Sequence, residues 1–139
     1  MVTKSKTIKL NTKGNDHVID ITADAAEFLK ASKVKNGQLT VFIPGSTASV
    51  TTIEYEPGLI KDIVGLGDRL APQGKRYAHD DTWGDGNGHA HLRASTIGPS
   101  LTVPVVSGSM TLGTWQQIVV IDHDNKARLR SVVLSLLGE

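Results

Sequence analysis

Residues 77–100 read YAHDDTWGDGNGHAHLRASTIGPS, and their reading decides the fold, because they separate a half with alternating strands and helices from a run of strands. The stretch holds three of the five histidines, three aspartates, an asparagine and four glycines. Gly84-Asp85-Gly86-Asn87-Gly88 favours turns over a regular element, since glycine loses the most backbone entropy on ordering and accepts positive φ. A loop is expected here. Beyond it, His89-Ala90-His91-Leu92-Arg93-Ala94 alternates polar and apolar residues, which predicts a strand over His89–Ile97 with His89 and His91 on one face. Reactive groups on a loop anchored by a rigid element are a common layout for a site.

Working outward, the upstream half gives two strands, a helix, two strands and a helix. Lys6–Leu10 and His17–Ile21 flank the turn residues Thr12-Lys13-Gly14-Asn15 and read as a hairpin, with His17 on the strand surface. Ala25, Phe28, Leu29 and Ser32 share one helical face, after an Asp24/Glu27 capping signature and before a stop at Asn36-Gly37. Gln38–Ile43 and Ala48–Ile53 read as strands. Glu56-Pro57 then supplies an N-cap acid and an N1 proline for a helix whose stripe Leu59, Ile60, Ile63, Val64, Leu66, Leu70 is expected to face the core.

Downstream of the central segment, Leu101–Val106, Ser109–Asp122 and Arg128–Leu136 follow His89–Ile97 as strands. Gly98-Pro99-Ser100, Ser107-Gly108 and His123-Asp124-Asn125 are the turns, and Gly113 suggests a bulge. The expected fold class is α+β: mainly antiparallel sheets with two helices, in the order ββαββαββββ. One domain is expected over residues 1–139, since a chain of this length can bury an adequate core.

Composition narrows the chemistry. No cysteine is present, which excludes disulfides, thiolate metal sites and cysteine nucleophiles. Fifteen basic against fourteen acidic residues leave a net charge of +1, too balanced to point to a polyanion, and six scattered aromatic residues make no stacking platform. No nucleic-acid or membrane partner is expected. The first residues carry no apolar segment of signal length, which leads to the expectation of a cytoplasmic protein.

His79 and His91 are twelve residues apart with Asp85 midway. Two imidazoles and a carboxylate suit a divalent ion such as zinc or magnesium, with an open position for water, phosphate or substrate. The same groups serve without metal: His79 as proton donor to a leaving phosphate, His91 or Glu54 as acceptor. Arg93, on the same predicted strand face as His91, is suited to grip phosphate as a bidentate fork. The glycine loop offers backbone N–H groups to an anion, although it lacks the lysine of a P-loop and the ligand spacing of an EF-hand. Asp85 and Asn87 equally suit turn building. Ser100 and Thr47 do not amount to a nucleophile site, because no Gly-x-Ser-x-Gly elbow occurs and no third group stands ready to orient a histidine.

Four separated motifs carry a resemblance: Glu54-Tyr55-Glu56-Pro57-Gly58-Leu59, the run from His79 through Asp85-Gly86-Asn87 to His91, Gly98-Pro99-Ser100, and Leu112-Gly113-Thr114-Trp115-Gln116-Gln117. Together they resemble the YjbQ-like family of secondary thiamine-phosphate synthases over almost the whole chain. The resemblance implies a β-rich subunit in a homotrimer, with a polar site near the intersubunit interface. It further implies a transferase side activity joining a hydroxymethylpyrimidine diphosphate to a thiazole phosphate with release of pyrophosphate. Carried across, the family's polar set falls on Glu54, His79, Asp85, Asn87 and His91, with Ser100, Trp115 and Gln116 in the later motifs. On this basis His79, Asp85 and Glu54 are the expected catalytic groups, and Asn87, Ser100, Trp115 and Gln116 the substrate contacts, joined by Arg93 from the reading of the residues alone. His79, His91 and Asp85 are the expected metal ligands, and no organic cofactor is expected. One departure stands out: where many members have a histidine before two threonines and an alanine, this chain has Gly45-Ser46-Thr47-Ala48. A metal-dependent hydrolase or phosphotransferase, or a trimeric ligand-binding protein, is the alternative reading.

Overall fold

The computed structural model describes residues 1–139. Its elements are β1 (Val2–Thr12), β2 (His17–Asp20), α1 (Thr22–Ser32), β3 (Gly37–Phe42), β4 (Ala48–Ile53), α2 (Pro57–Leu70), α3 (Ala78–Trp83), α4 (Gly88–Ile97), β5 (Ser100–Val106), β6 (Ser109–Met110), β7 (Gln117–Asp122) and β8 (Arg128–Gly138). They form a five-stranded sheet in the order β1-β8-β3-β5-β6 and a three-stranded sheet in the order β2-β7-β4. Every pairing is antiparallel.

Period-two alternation explains how the sheets face each other. Leu39 and Val41 of β3, Val103 and Val105 of β5, and Val132, Leu134 and Leu136 of β8 meet Val50, Ile118 and Val120 of the smaller sheet, with Phe28 and Leu29 of α1 closing one side. Strand β7 is apolar on both faces, because Val119 and Ile121 turn the other way and pack with Val18, Ile53, Ile60, Ile63 and Ile97. The layers are therefore large sheet, core, small sheet, and an outer layer of α2 and α4.

The expected α+β class with antiparallel sheets holds, but two helices become four, and the order is ββαββαααββββ. The segment 77–100 accounts for the difference. Its predicted strand His89–Ile97 is helix α4, started by backbone bonds from Ala90 and His91 to the Asn87 carbonyl (2.9 and 3.3 Å) and closed by Gly98 N–H on Ala94 O (2.8 Å). The buried positions His89, Ala90, Arg93 and Ala94 follow helical spacing. The expected loop lies at residues 84–87, but a one-and-a-half-turn helix, α3, precedes it, whose residue Asp80 receives Tyr77 N–H at its start (3.1 Å) and Gly88 N–H of α4 (3.1 Å). One carboxylate thus ties the two helix starts together.

Other corrections are smaller. Residues 12–16 do turn, with left-handed Gly14, Asn15 and Asp16, yet β1 pairs with β8 and β2 with β7, so no hairpin forms. Helix α1 stops at left-handed Lys33 (φ 63°), ahead of Asn36-Gly37. The long strand 109–122 is two strands, broken by a turn in which Gly113 N–H donates to Gln116 Oε1 (3.0 Å). Helix α2 is capped as expected by Glu56, but its stripe is only half-buried, with Leu66 and Leu70 48 and 47 % exposed.

Candidate functional site

At the end of the small sheet where β4 begins and β7 ends, the β3–β4 connection, α3, α4 and the start of β8 enclose an open cleft of about 420 Å³. His79, Asp85, Asn87 and His91 line it beside Trp83, Thr47, Arg128 and Arg130. The imidazoles of His79 and His91 lie with ring centroids 4.1 Å apart and planes tilted by 51°. Burial holds the His91 pKa below its usual value, and the neighbouring His79 lowers it further. The helical turn that follows the loop, rather than a strand, swings His91 back towards His79.

Under the cleft lies a dense polar layer. Arg130 grips Asp122 with two bonds, Nε to Oδ2 and Nη2 to Oδ1, both 2.8 Å, and reaches Thr47 Oγ1 at 2.7 Å. Arg128 Nε donates to Asp124 Oδ2 (2.9 Å), which also receives Thr47 Oγ1–H (3.0 Å), while Asn125 N–H reaches Asp124 Oδ1 (2.8 Å). Both aspartates are fully buried. Burial alone would raise their pKa values, but these donors outweigh it and hold both carboxyls below the usual range. The arginines are therefore largely neutralised from below, and the cleft's free capacity rests on their outward N–H groups, the imidazoles and the α3–α4 loop. Asn87 Oδ1 and His89 Nε2 are buried with no partner.

One step deeper, His123 Nδ1 bonds Asp16 Oδ1 and His123 Nε2 lies 2.8 Å from Ser49 Oγ. This is the order of a Ser-His-Asp triad, assembled from three separated segments, so a group that orients a histidine does exist. Ser49 Oγ is nonetheless shut inside the protein (Ser49 0 % exposed), and a nucleophile must touch substrate. The chain is a structural lock. Arg93 belongs to it as well. Its guanidinium bonds Asp16, Asp68 (2.9 Å) and the Ala71 carbonyl (3.0 and 2.8 Å), clamping α4 to the end of α2 and to loop 13–16. Arg93 is 2 % exposed, with these bonds absorbing its fork, and it does not line the His91 cleft.

The remaining expected residues lie elsewhere. Glu54 is exposed beyond the far end of β4, next to Ile53, whose partner is Gln117. Six strand steps from Ala48 put it about 20 Å from the His79 cleft. Ser100 and Gln116 line a separate cleft of about 320 Å³ with Thr52, Thr102 and Thr111, where Gln116 Nε2 donates to Thr52 Oγ1 (3.0 Å). Trp115 is 70 % exposed near by. Apart from Arg93, the expected set divides within the chain into two groups at opposite ends of the small sheet. His79, His91 and Asp85 share a cleft, but no three His, Asp or Glu side chains come close enough to hold a metal ion by themselves.

Sequence reasoning overlooks Arg128 and Arg130, and with them Asp16, Asp122, His123 and Asp124. A signal was present: Arg128-x-Arg130 puts two guanidiniums on one strand face, and His123-Asp124 ends an apolar strand with charge. No helix of the protein is long and apolar enough to cross a membrane.

Known proteins share this architecture. A "YbjQ-like protein of unknown function" from Sulfolobus solfataricus P2 superposes with a TM-score of 0.89 at 28 % identity, covering 99 % of this chain and 100 % of the other. A hypothetical protein from Aeropyrum pernix K1 gives 0.88 at 40 % identity over the whole of both chains. By sequence, a "UPF0047 protein" of Archaeoglobus fulgidus is 36 % identical over 129 residues, 93 % of this chain and 98 % of that protein. The UPF0047 protein YugU of Bacillus subtilis is 33 % identical over 135 residues, covering 96 and 98 %. The family model "UPF0047 protein YjbQ-like" matches residues 6–139, the span that carries both clefts and all eight strands but for the first residues of β1. On this agreement of sequence and fold, the chain belongs to the YjbQ-like UPF0047 family.

Proposed function

We propose that the chain is an enzyme of phosphorylated small molecules, with the joining of a pyrimidine diphosphate to a thiazole phosphate as its testable reaction. The observation that carries this reading is the cleft in which His79, His91, Asn87, Arg128 and Arg130 border one open volume. In that reaction the carbon–oxygen bond to the diphosphate breaks, the thiazole nitrogen lone pair forms the new carbon–nitrogen bond, and pyrophosphate departs. Charge developing on pyrophosphate needs neutralising more than protonating. Arg128 and Arg130 N–H groups suit that task, with His79 as a proton donor at the departing oxygen. His91, its pKa lowered by burial and by His79, suits a hydrogen-bond acceptor towards the substrate, since the thiazole nitrogen carries no proton for a base to remove.

A divalent ion arriving with the diphosphate would supply further neutralisation. His79, His91 and Asp85 would hold it in place of the imidazole roles above, with substrate oxygens completing its shell, because they do not form a three-donor set on their own. The exposed Trp115 and the distance between the Glu54 group and the His79 group support a homotrimer in which one protomer's Glu54 end adjoins the next protomer's cleft. Light scattering at micromolar concentration should give three times the chain mass. A monomer refutes that assembly.

The test of the reaction is direct. Pure protein with both thiamine precursors and Mg²⁺ should yield thiamine phosphate, and His79→Ala and Asp85→Ala should abolish it. No product under conditions in which a dedicated synthase works rejects the reading.

A further inference from the structure

Behind His91 the cleft continues into a second hollow of about 350 Å³ with a different character, bordered by Ala48, Leu92, Ala94, Ser95 and Pro99. The two hollows meet at Gly45, Ser46 and His91. Gly45 has φ 107°, a left-handed conformation that disfavours any side chain, and a Cβ there would stand 3.2 Å from Arg130 Nη1. Gly45 thus adds no side chain at the junction, which is bordered by Ser46 and the His91 imidazole. One side offers guanidinium and imidazole N–H groups; the other offers methyl and methylene surface with no ionisable group beyond the shared His91. Leu92 is 48 % exposed on that rim, an apolar side chain turned towards solvent.

We infer that this is a two-lobed site for an amphiphilic anion: a phosphate bound in the His79–Arg128 lobe, joined to an uncharged ring or short apolar group lying over Ala48, Leu92, Ala94 and Pro99. The inference rests on the anion reading of the first lobe and adds the place where the group that carries the phosphate lies. His91 stands at the boundary, where its imidazole meets the bond that links the two parts of the ligand. A bare diphosphate fills only half of the site.

Calorimetric titration with inorganic phosphate and with phenyl phosphate tests this. Phenyl phosphate should bind at least about tenfold more tightly, the gain expected for covering part of one ring. Ser95→Phe, on the exposed side of α4, should fill the apolar lobe and remove that gain while leaving inorganic phosphate unaffected. Leu92→Gln, which leaves the core intact, should reduce the gain if Ser95→Phe does not fold. Arg128→Gln should weaken both ligands. Equal affinity for the two ligands, or a ring-dependent gain that survives both α4 variants, overturns the inference and leaves the anion lobe standing. Absence of binding by either ligand overturns both, and the thiamine-phosphate assay remains an independent readout of the reaction itself.

Discussion

Replacing Arg130 by methionine keeps most of the side-chain volume and removes the cation from a carboxylate that solvent cannot reach. Arg130 is 8 % exposed and gives Asp122 two bonds of 2.8 Å; Asp122 is 0 % exposed and retains only Thr12 Oγ and the Asp124 N–H once the guanidinium is gone. Thr47 also loses its donor. Removing one partner of a buried pair costs about 3–5 kcal/mol, a large part of the roughly 5–15 kcal/mol that holds a domain folded. The melting temperature should fall by roughly 10 °C or more. The pH dependence carries the sign. In the wild type Asp122 is held below its ordinary value of 3.8, so its contribution is present above that pH and disappears as pH falls through the lower, folded value. In the variant, burial is opposed by fewer donors and should push the carboxyl up. The protonated acid needs no cation, so the defect should be greatest at pH 7 and shrink towards pH 4. Urea unfolding followed by circular dichroism measures both, and Asp122→Asn with Arg130→Met should cost less than the two single changes added together. A loss below about 1 kcal/mol at pH 7, or one that does not vary with pH, would refute the buried-pair reasoning.

Three further outcomes are expected. In His79→Ala the His91 titration followed by nitrogen NMR should move upward, since a neighbouring cation is removed while burial remains; an unchanged or lower midpoint contradicts the coupling of the pair. Gly14→Ala should cost at least about 2 kcal/mol in urea unfolding, because the φ of 71° is strained for alanine and its Cβ would stand 2.5 Å from the Lys126 carbonyl and 2.7 Å from that of Asp124. Glu56→Ala should cost about 1 kcal/mol by the same assay, through loss of the side-chain cap on Gly58 and Leu59 N–H, with the phosphate affinity of the cleft unchanged.

Local chemistry is what the sequence makes legible. Strand β4 falls at the expected Ala48–Ile53, and α2 starts where Glu56-Pro57 says it should, because caps and β-branched runs act over a few residues. Helix α4 escapes for a physical reason: two of its inward positions, His89 and Arg93, are buried polar residues, so apolar periodicity is erased and a false alternation remains. The turn at residues 12–16 is likewise legible while its consequence is not, since pairing partners more than a hundred residues away carry no local mark. The site shows the same division. His79, Asp85, Asn87 and His91 stand out through the density of residues 77–100, whereas Arg128 and Arg130 become neighbours of that segment only when β8 is placed.

The pairing of β1 with β8 runs for eleven residues, from Val2 opposite Gly138 to Thr12 opposite Arg128, and β8 also holds β3 on its other side. A ribosome delivers residues 128–138 after everything they must join, so the large sheet lacks the strand that joins β1 to β3 until that segment has emerged. The earlier strands must wait, with β1 and β3 exposing unpaired edges to any chaperone or neighbouring nascent chain. Contacts this distant in sequence place folding at the slow end for domains of this size, roughly milliseconds to seconds. Arg128 and Arg130 ride on that last strand, so the cleft lined by His79 and His91 is completed in the same late event that closes the sheet.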